Sequence, residues 1–181
     1  MERCRLVFSG SGGQGVITAA IILAEAAVLY DDLIAVQSQV YGAEARGGAT
    51  RSDIIISDSD IFFPKVNQPN VLVCLTQEAY VKFSTIIRPG GLLVTDQRYV
   101  QTWKKVDARQ RELPIYDTVM DRIGKPIVFN ICMLGALIAL TGIVRAESIM
   151  KVLESRIPES FLDLNRRALQ VGIDLGTAAS P

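Results

Sequence analysis

The sequence predicts a single α/β domain, a three-layer α/β/α sandwich with a mixed, mostly parallel sheet, over residues 1–175, with a frayed tail at 176–181. Three observations carry that expectation. A short strand runs into a glycine turn and then a long apolar helix at the start of the chain. Short β-rich runs alternate with longer helical ones throughout. The second and third strands are joined without a helix, so that pair is antiparallel and the sheet cannot be purely parallel.

Cys4–Phe8 is short and rich in β-formers, the pattern of a buried first strand. Val16–Tyr30 holds a single charge, Glu25, among Ala, Ile and Leu, and reads as a helix. Between them lie Gly10, Gly12, Gly13, Gln14 and Gly15. Strand, glycine turn and helix together present free backbone N–H groups and a positive helix end to an anion. The spacing of Gly10, Gly12 and Gly15 fits G-x-G-x-x-G, yet the second strand, Leu33–Val36, ends in the uncharged Gln37-Ser38-Gln39. A dinucleotide site needs an acid there for the ribose. A P-loop needs Lys where Val16 stands. The loop therefore reads either as a site for a phosphate or carboxylate or as a turn whose glycines serve only close packing.

A second unusual loop, Tyr41, Gly42, Ala43, Glu44, Ala45, Arg46, Gly47 and Gly48, leads into a third strand within 49–57. Residues 58–70, with Pro64 and Pro69, form a connection to a buried strand at Val71–Leu75. Thr76 caps a helix from Gln77 to Ile87, and Leu92–Thr95 is the next strand. The polar stretch 97–112 is expected to be an exposed excursion, with Ile115–Thr118 a short edge strand after it. Ile127–Val144 contains no charge and reads as a helix buried on all sides, part of it under a partner. Pro126 and Gly142 punctuate it as a helix of a soluble fold rather than a membrane span. Two amphipathic helices close the chain, at 146–155 and 158–171.

Lys plus Arg and Asp plus Glu both number 19, so no basic excess points to nucleic acid. Mean hydropathy is +0.28, the surplus apolar surface of a permanently assembled subunit. Cys4, Cys74 and Cys132 are far apart and carry no metal-site spacing, so they read as buried free thiols. Histidine is absent, which removes the commonest general base. The opening Met-Glu-Arg-Cys-Arg lacks a secretory pattern, and a cytoplasmic location is expected.

Three segments together carry a resemblance: Gly10-Ser-Gly-Gly-Gln-Gly15, Tyr41-Gly-Ala-Glu-Ala-Arg-Gly-Gly48, and the pair Asn130…Leu134-Gly135 with Asn165-x-x-Ala168-x-x-x-Gly172. The chain resembles the gamma subunit of 2-oxoacid:ferredoxin (acceptor) oxidoreductases over nearly its whole length. Gln37-Ser38-Gln39 and Glu44-Ala-Arg-Gly-Gly48 look most like the 2-oxoglutarate branch, while Val40 and Ala43 depart from it and leave the pyruvate and branched-chain branches open. The resemblance implies that partner subunits bind thiamine diphosphate, magnesium and iron–sulfur clusters. It also implies that this subunit is required without being catalytic, and that its two glycine loops adjoin coenzyme A. Gly10, Gly12, Gly13, Gln14, Gly15, Tyr41, Gly42, Glu44, Arg46, Gly47 and Gly48 are the candidate cofactor-contacting residues, with no catalytic or metal-binding residue in the chain. Glu44 and Arg46 read first as a pair holding the loop's shape. Asn130 and Asn165 read as caps for neighbouring loops. A homodimer is expected for the chain alone, and a stand-alone nucleotide-binding oxidoreductase is the competing function.

Overall fold

Short buried runs of Val, Leu and Ile become strands because their two faces are both covered. The computed structural model describes residues 3–40, 48–103 and 105–180. Its strands are β1 (Cys4–Gly10), β2 (Ile34–Val40), β3 (Thr50–Ser57), β4 (Val71–Cys74), β5 (Gly91–Asp96) and β6 (Ala108–Leu113). They form one sheet in the order β2-β3-β1-β4-β5-β6. β3 runs antiparallel to both β1 and β2, and every other pair is parallel. The antiparallel β2–β3 pair thus gives the mixed sheet that the sequence predicts.

One face of the sheet carries α1 (Val16–Tyr30), α3 (Ile115–Arg122), α4 (Phe129–Thr141), α5 (Ala146–Arg156) and α6 (Glu159–Ala178), packed on Leu6, Phe8, Ile54, Ile56, Val73 and Val94. The other face is thinner. There α2 (Gln77–Phe83) places Ala79 and Tyr80 on Val7, Ile55, Leu72 and Leu93, with Val66 and Val100 filling from the loops.

Two expectations are corrected. The stretch 97–112 is not all excursion: Ala108–Leu113 pairs with β5 as the sheet's edge. Its Arg109, Arg111 and Glu112 hide a strand from any search for apolar alternation, yet charge is what a protected edge carries. Ile115–Thr118 is not a strand but the first turn of α3, where Ile115 and Val119 are buried at helical i, i+4 spacing.

The uncharged segment 127–144 divides into a 3₁₀ turn at Pro126–Val128 and α4. Phe129 through Ile138 are all buried, and α6 and α1 of the same chain cover them. Its own chain thus covers α4 from Phe129 to Ile138, while Ile127 just before it stays exposed. No helix among the described residues is long and apolar enough to cross a membrane. The tail expected to fray continues α6 to Ala178, and Arg111 Nε donates to the Ala179 carbonyl at 2.9 Å.

α4 and α6 approach so closely that their backbones touch. A Cβ on Gly172 would lie well inside contact distance of the Cys132 carbonyl, and one on Gly135 would meet the Leu169 carbonyl in the same way. Gly172→Ala is therefore expected to push the two helices apart and destabilise the chain by about 1–3 kcal/mol, the usual cost of overpacking. Chemical denaturation of the two forms checks it; equal midpoints would mean that the interface yields freely.

Candidate functional site

The site follows from where successive crossovers go. From β1 the chain crosses to α1 on the five-helix face, and from the adjacent, parallel β4 it crosses to α2 on the opposite face. Chain segments leaving neighbouring strand ends in opposite directions open a crevice, the usual ligand position in open α/β sheets.

The β1–α1 turn forms one wall. Gly12–Gln14 is a single 3₁₀ turn, so the N–H groups of Gly12 and Gly13 have no partner within it. Space beside both residues is open: a Cβ on either would meet nothing within 4 Å. Gly15 follows at φ +68°, a left-handed conformation that costs an L side chain energy, and it caps the N-terminus of α1.

Two amides clamp this turn. Gln14 Oε1 accepts from Ser11 N at 2.8 Å, and Gln14 Nε2 donates across the crevice to the Leu75 carbonyl at 2.9 Å. Asn130, at the start of α4, donates from Nδ2 to the Gly15 carbonyl at 3.3 Å. The glycines leave room for both clamps: a Cβ on Gly10 would stand 2.5 Å from Gln14 Oε1, and one on Gly15 would stand 2.6 Å from Asn130 Nδ2. The loop-capping role expected for Asn130 is the one observed. Asn165 differs, because its Nδ2 donates to the Phe161 carbonyl of its own helix at 2.9 Å.

The opposite wall is the start of α2, where Thr76 Oγ1 accepts from Ala79 N at 3.2 Å. Glu78 Oε1 accepts from Ala49 N at 3.3 Å, which ties the beginning of β3 to α2. On the floor, Ser9 Oγ is buried at the end of β1 and has no hydrogen-bond partner among the described residues. Cys74 lies beside Ser9 in the paired strand, and burial pushes its thiol up to about 12. That sulfur is a protonated packing group, not a nucleophile. Cys132 behaves alike, pushed up to about 12 by burial and then by Asp96. Cys4, expected to be buried, is only half-buried.

β1 and β2 are not neighbours, because β3 lies between them. They still run parallel, so the turn after β1 and the loop after β2 leave the same edge of the sheet. The register Gly10↔Thr50 and Val40↔Arg51 fixes this. Of the second loop only Gly48 is described; Tyr41, Gly42, Glu44, Arg46 and Gly47 lie outside the described residues, and the expected Glu44–Arg46 pair with them. Arg51 in β3 is fully engaged. It reaches Asp53 at 2.6 Å and the Val66 carbonyl at 2.8 Å, and its guanidinium lies 5.3 Å from the Phe83 ring centroid.

Sequence reasoning missed Asp96, which is fully buried at the end of β5. Burial pushes its carboxyl above the usual carboxylate range, against the pull of the backbone N–H groups of Tyr116, Arg98 and Tyr99. Oδ2 accepts from Tyr116 N at 2.8 Å and Oδ1 from Arg98 N at 2.9 Å, so the side chain fastens α3 to the sheet edge. Tyr99 stands edge-on to Tyr116 at 5.4 Å and to Phe129 at 6.1 Å, closing that edge. The only signal for this in sequence is a lone acid ending a strand. Gln37, at the position relevant to a dinucleotide's ribose, donates inward to Ser52 Oγ at 2.7 Å.

Gln14→Ala removes the bond within the turn and the one across the crevice, and leaves the Leu75 carbonyl without that donor. A loss of about 1–3 kcal/mol is expected from one such deletion. Amide hydrogen exchange at Ser11 should rise with it, and unchanged protection there would show that the turn does not need the clamp.

Comparison with known proteins adds to this geometry. A family model described as "Pyruvate ferredoxin/flavodoxin oxidoreductase" matches residues 5–175. The chain is 45% identical over 175 residues to the 2-oxoglutarate synthase subunit KorC of Methanocaldococcus jannaschii, covering 96% of this chain and 94% of that protein. It is similar in structure to the keto/oxoacid ferredoxin oxidoreductase gamma subunit from Geobacter sulfurreducens, with TM-score 0.91, 42% identity and full coverage of both chains. A 2-oxoglutarate:ferredoxin oxidoreductase from Magnetococcus marinus shares the fold, with TM-score 0.87 at 22% identity, this chain covering 32% of that one.

Proposed function

Because this chain belongs to the pyruvate ferredoxin/flavodoxin oxidoreductase family, we propose that it is the gamma subunit of a 2-oxoglutarate:ferredoxin oxidoreductase, required for activity but not itself catalytic. The observation that carries the substrate branch is end-to-end identity of 45% with a 2-oxoglutarate synthase subunit. The complex converts 2-oxoacid and coenzyme A to acyl-CoA and carbon dioxide, passing two electrons to an acceptor. In this reading thiamine diphosphate, magnesium and iron–sulfur clusters lie in partner subunits and supply decarboxylation and electron removal there. This chain works in the cytoplasm, where its partners are the other subunits.

Its own residues bind and position. The N–H groups of Gly12 and Gly13, unpartnered within their turn, and the N-terminus of α1 fit an anionic group in the crevice. We assign that group to a phosphate of coenzyme A, with Tyr41, Gly42, Glu44, Arg46, Gly47 and Gly48 of the second loop as its further candidate contacts. Gln14 and Asn130 hold the donors in place, while Gly10 and Gly15 make room for those two amides. Away from its partners the chain pairs with itself as a two-fold dimer, since Val28, Leu29 and Ile34 leave apolar surface exposed.

The isolated chain, given 2-oxoglutarate, coenzyme A, thiamine diphosphate, magnesium and a viologen dye, is expected to show no dye reduction. Recombining it with the remaining subunits should restore turnover. Reduction by the chain alone would overturn the non-catalytic assignment.

Arg46→Lys keeps the charge and loses the planar fork. In the assembled complex it should raise the Michaelis constant for coenzyme A by roughly fivefold to 150-fold, the equivalent of about 1–3 kcal/mol for a hydrogen bond to a charged group. The constant for 2-oxoglutarate should stay unchanged; equal effects on both substrates would mark Arg46 as structural.

A further inference from the structure

Asp96 is completely buried at the end of β5, and no ion pair of its carboxyl is found among the described residues. Both of its oxygens accept from backbone. Oδ2 takes the Tyr116 N–H at 2.8 Å, and Oδ1 takes the Arg98 N–H at 2.9 Å. Tyr116 is the second residue of α3, and the residue before that helix is Pro114, which makes no side-chain cap. Asp96 thus satisfies an N-terminal donor of α3 from a different strand, as a cap residue would. Its other oxygen fixes the turn after β5, where Tyr99 N and Val100 N also donate to the Asp96 carbonyl at 3.3 and 3.0 Å.

These bonds hold three rings together. Tyr99 of the turn and Tyr116 of α3 stand edge-on at 5.4 Å, and Phe129, the first residue of α4, meets them at 6.1 and 6.2 Å. Ring pairs at such separations have preferred orientations, so the place of one sets the place of the others. The next residue along α4 is Asn130, whose Nδ2 donates to the Gly15 carbonyl at 3.3 Å. An unbroken run of contacts therefore joins one carboxyl to the glycine turn.

We propose that Asp96 is a positioning residue for coenzyme A: by fixing Tyr99 and Tyr116 it seats the first turn of α4, and through Asn130 it steadies the glycine turn and its N–H groups. The proposal rests on the assignment of a coenzyme A phosphate to that turn. A carboxyl suits the task because two N–H groups converge on it from different segments, and it offers an oxygen to each. Asparagine would set its own NH2 against one of them. Burial pushes the Asp96 carboxyl above the usual carboxylate range, so the fold keeps an unfavourable group in order to keep both acceptors.

The test uses Asp96→Asn and, should that variant not fold, Tyr99→Ala, which removes one ring at a position already 37% exposed. In the purified chain, amide exchange is followed at Ser11, held by Gln14 Oε1, and at Ala19, held by the Gly15 carbonyl. Either variant should speed exchange at both amides by roughly threefold or more, with the amides of β1 and β4 unchanged. In the assembled complex the Michaelis constant for coenzyme A should rise by a similar factor, while kcat and the constant for 2-oxoglutarate stay as they are. Tyr99→Phe keeps the ring and should return both readouts to those of the unaltered protein. Unchanged exchange at Ser11 and Ala19 would overturn the link from Asp96 to the turn. Faster exchange with an unaltered constant for coenzyme A would uphold the link and overturn the coenzyme assignment beneath it. Equal changes in both Michaelis constants, or faster exchange throughout the sheet, would make Asp96 a residue of general stability and overturn its positioning role.

Discussion

The glycine turn at the candidate site depends on how closely α6 presses on α4. α4 carries no charge and must be covered all round, and a single helix at ordinary distance would leave gaps between side chains. Gly135 and Gly172 remove the side chains at the crossing, so backbone meets backbone and the flanking Leu134, Leu137, Ala168 and Leu169 interlock. Each large side chain so buried is worth about 1.5–3 kcal/mol. The first turn of α4 is thereby fixed in space. Asn130 sits on that turn, and its amide reaches the Gly15 carbonyl. The glycine turn after β1 is thus held from behind by a helix pair far along the sequence.

The reversed strand is the second constraint. With β3 inserted antiparallel between β1 and β2, the chain leaves β2 and returns on β3 at the same edge that receives the β1 turn. At that edge Glu78 ties the start of β3 to α2 across the crevice. The mixed sheet is what brings the ends of β1 and β2, separated by a full helix, to the same edge.

Local chemistry makes some of this legible from residues alone. Val16–Tyr30 reads as a helix because its length and composition admit little else, and it has those bounds. Thr76 as a cap and the antiparallel β2–β3 pair follow from residue type and connection length. β6 is illegible because apolar alternation is the signal for a strand, and Arg109–Glu112 answers to edge protection instead. Ile115–Thr118 misleads because four residues are too few to separate a period of 2 from one of 3.6. At the site, the glycine spacing identifies the turn. The clamp from Gln14 to Leu75 and the anchoring acid Asp96 cannot be read, since both join segments that only the fold brings together.

How the ionisable groups are spent explains the kind of site that remains. Asp31 accepts from Arg145 N, Arg145 Nε and Ser148 Oγ; burial opposes its charge, but these donors outweigh that and hold the carboxyl below its ordinary value. Glu25 is held low by the Arg156 guanidinium, Asp53 binds Arg51, and Asp96 fastens α3. Cys74 and Cys132 are protonated by burial. The carboxyl groups of Asp31, Glu25 and Asp96 each join two elements, so recruiting one for proton transfer would cost the contact it makes. What the described residues of the crevice offer instead is backbone N–H, whose direction is fixed by the turn and whose partial charge does not titrate. Such donors favour an anion over a neutral group at every physiological pH. They suit a surface that must hold one part of a ligand still while bonds are made and broken elsewhere.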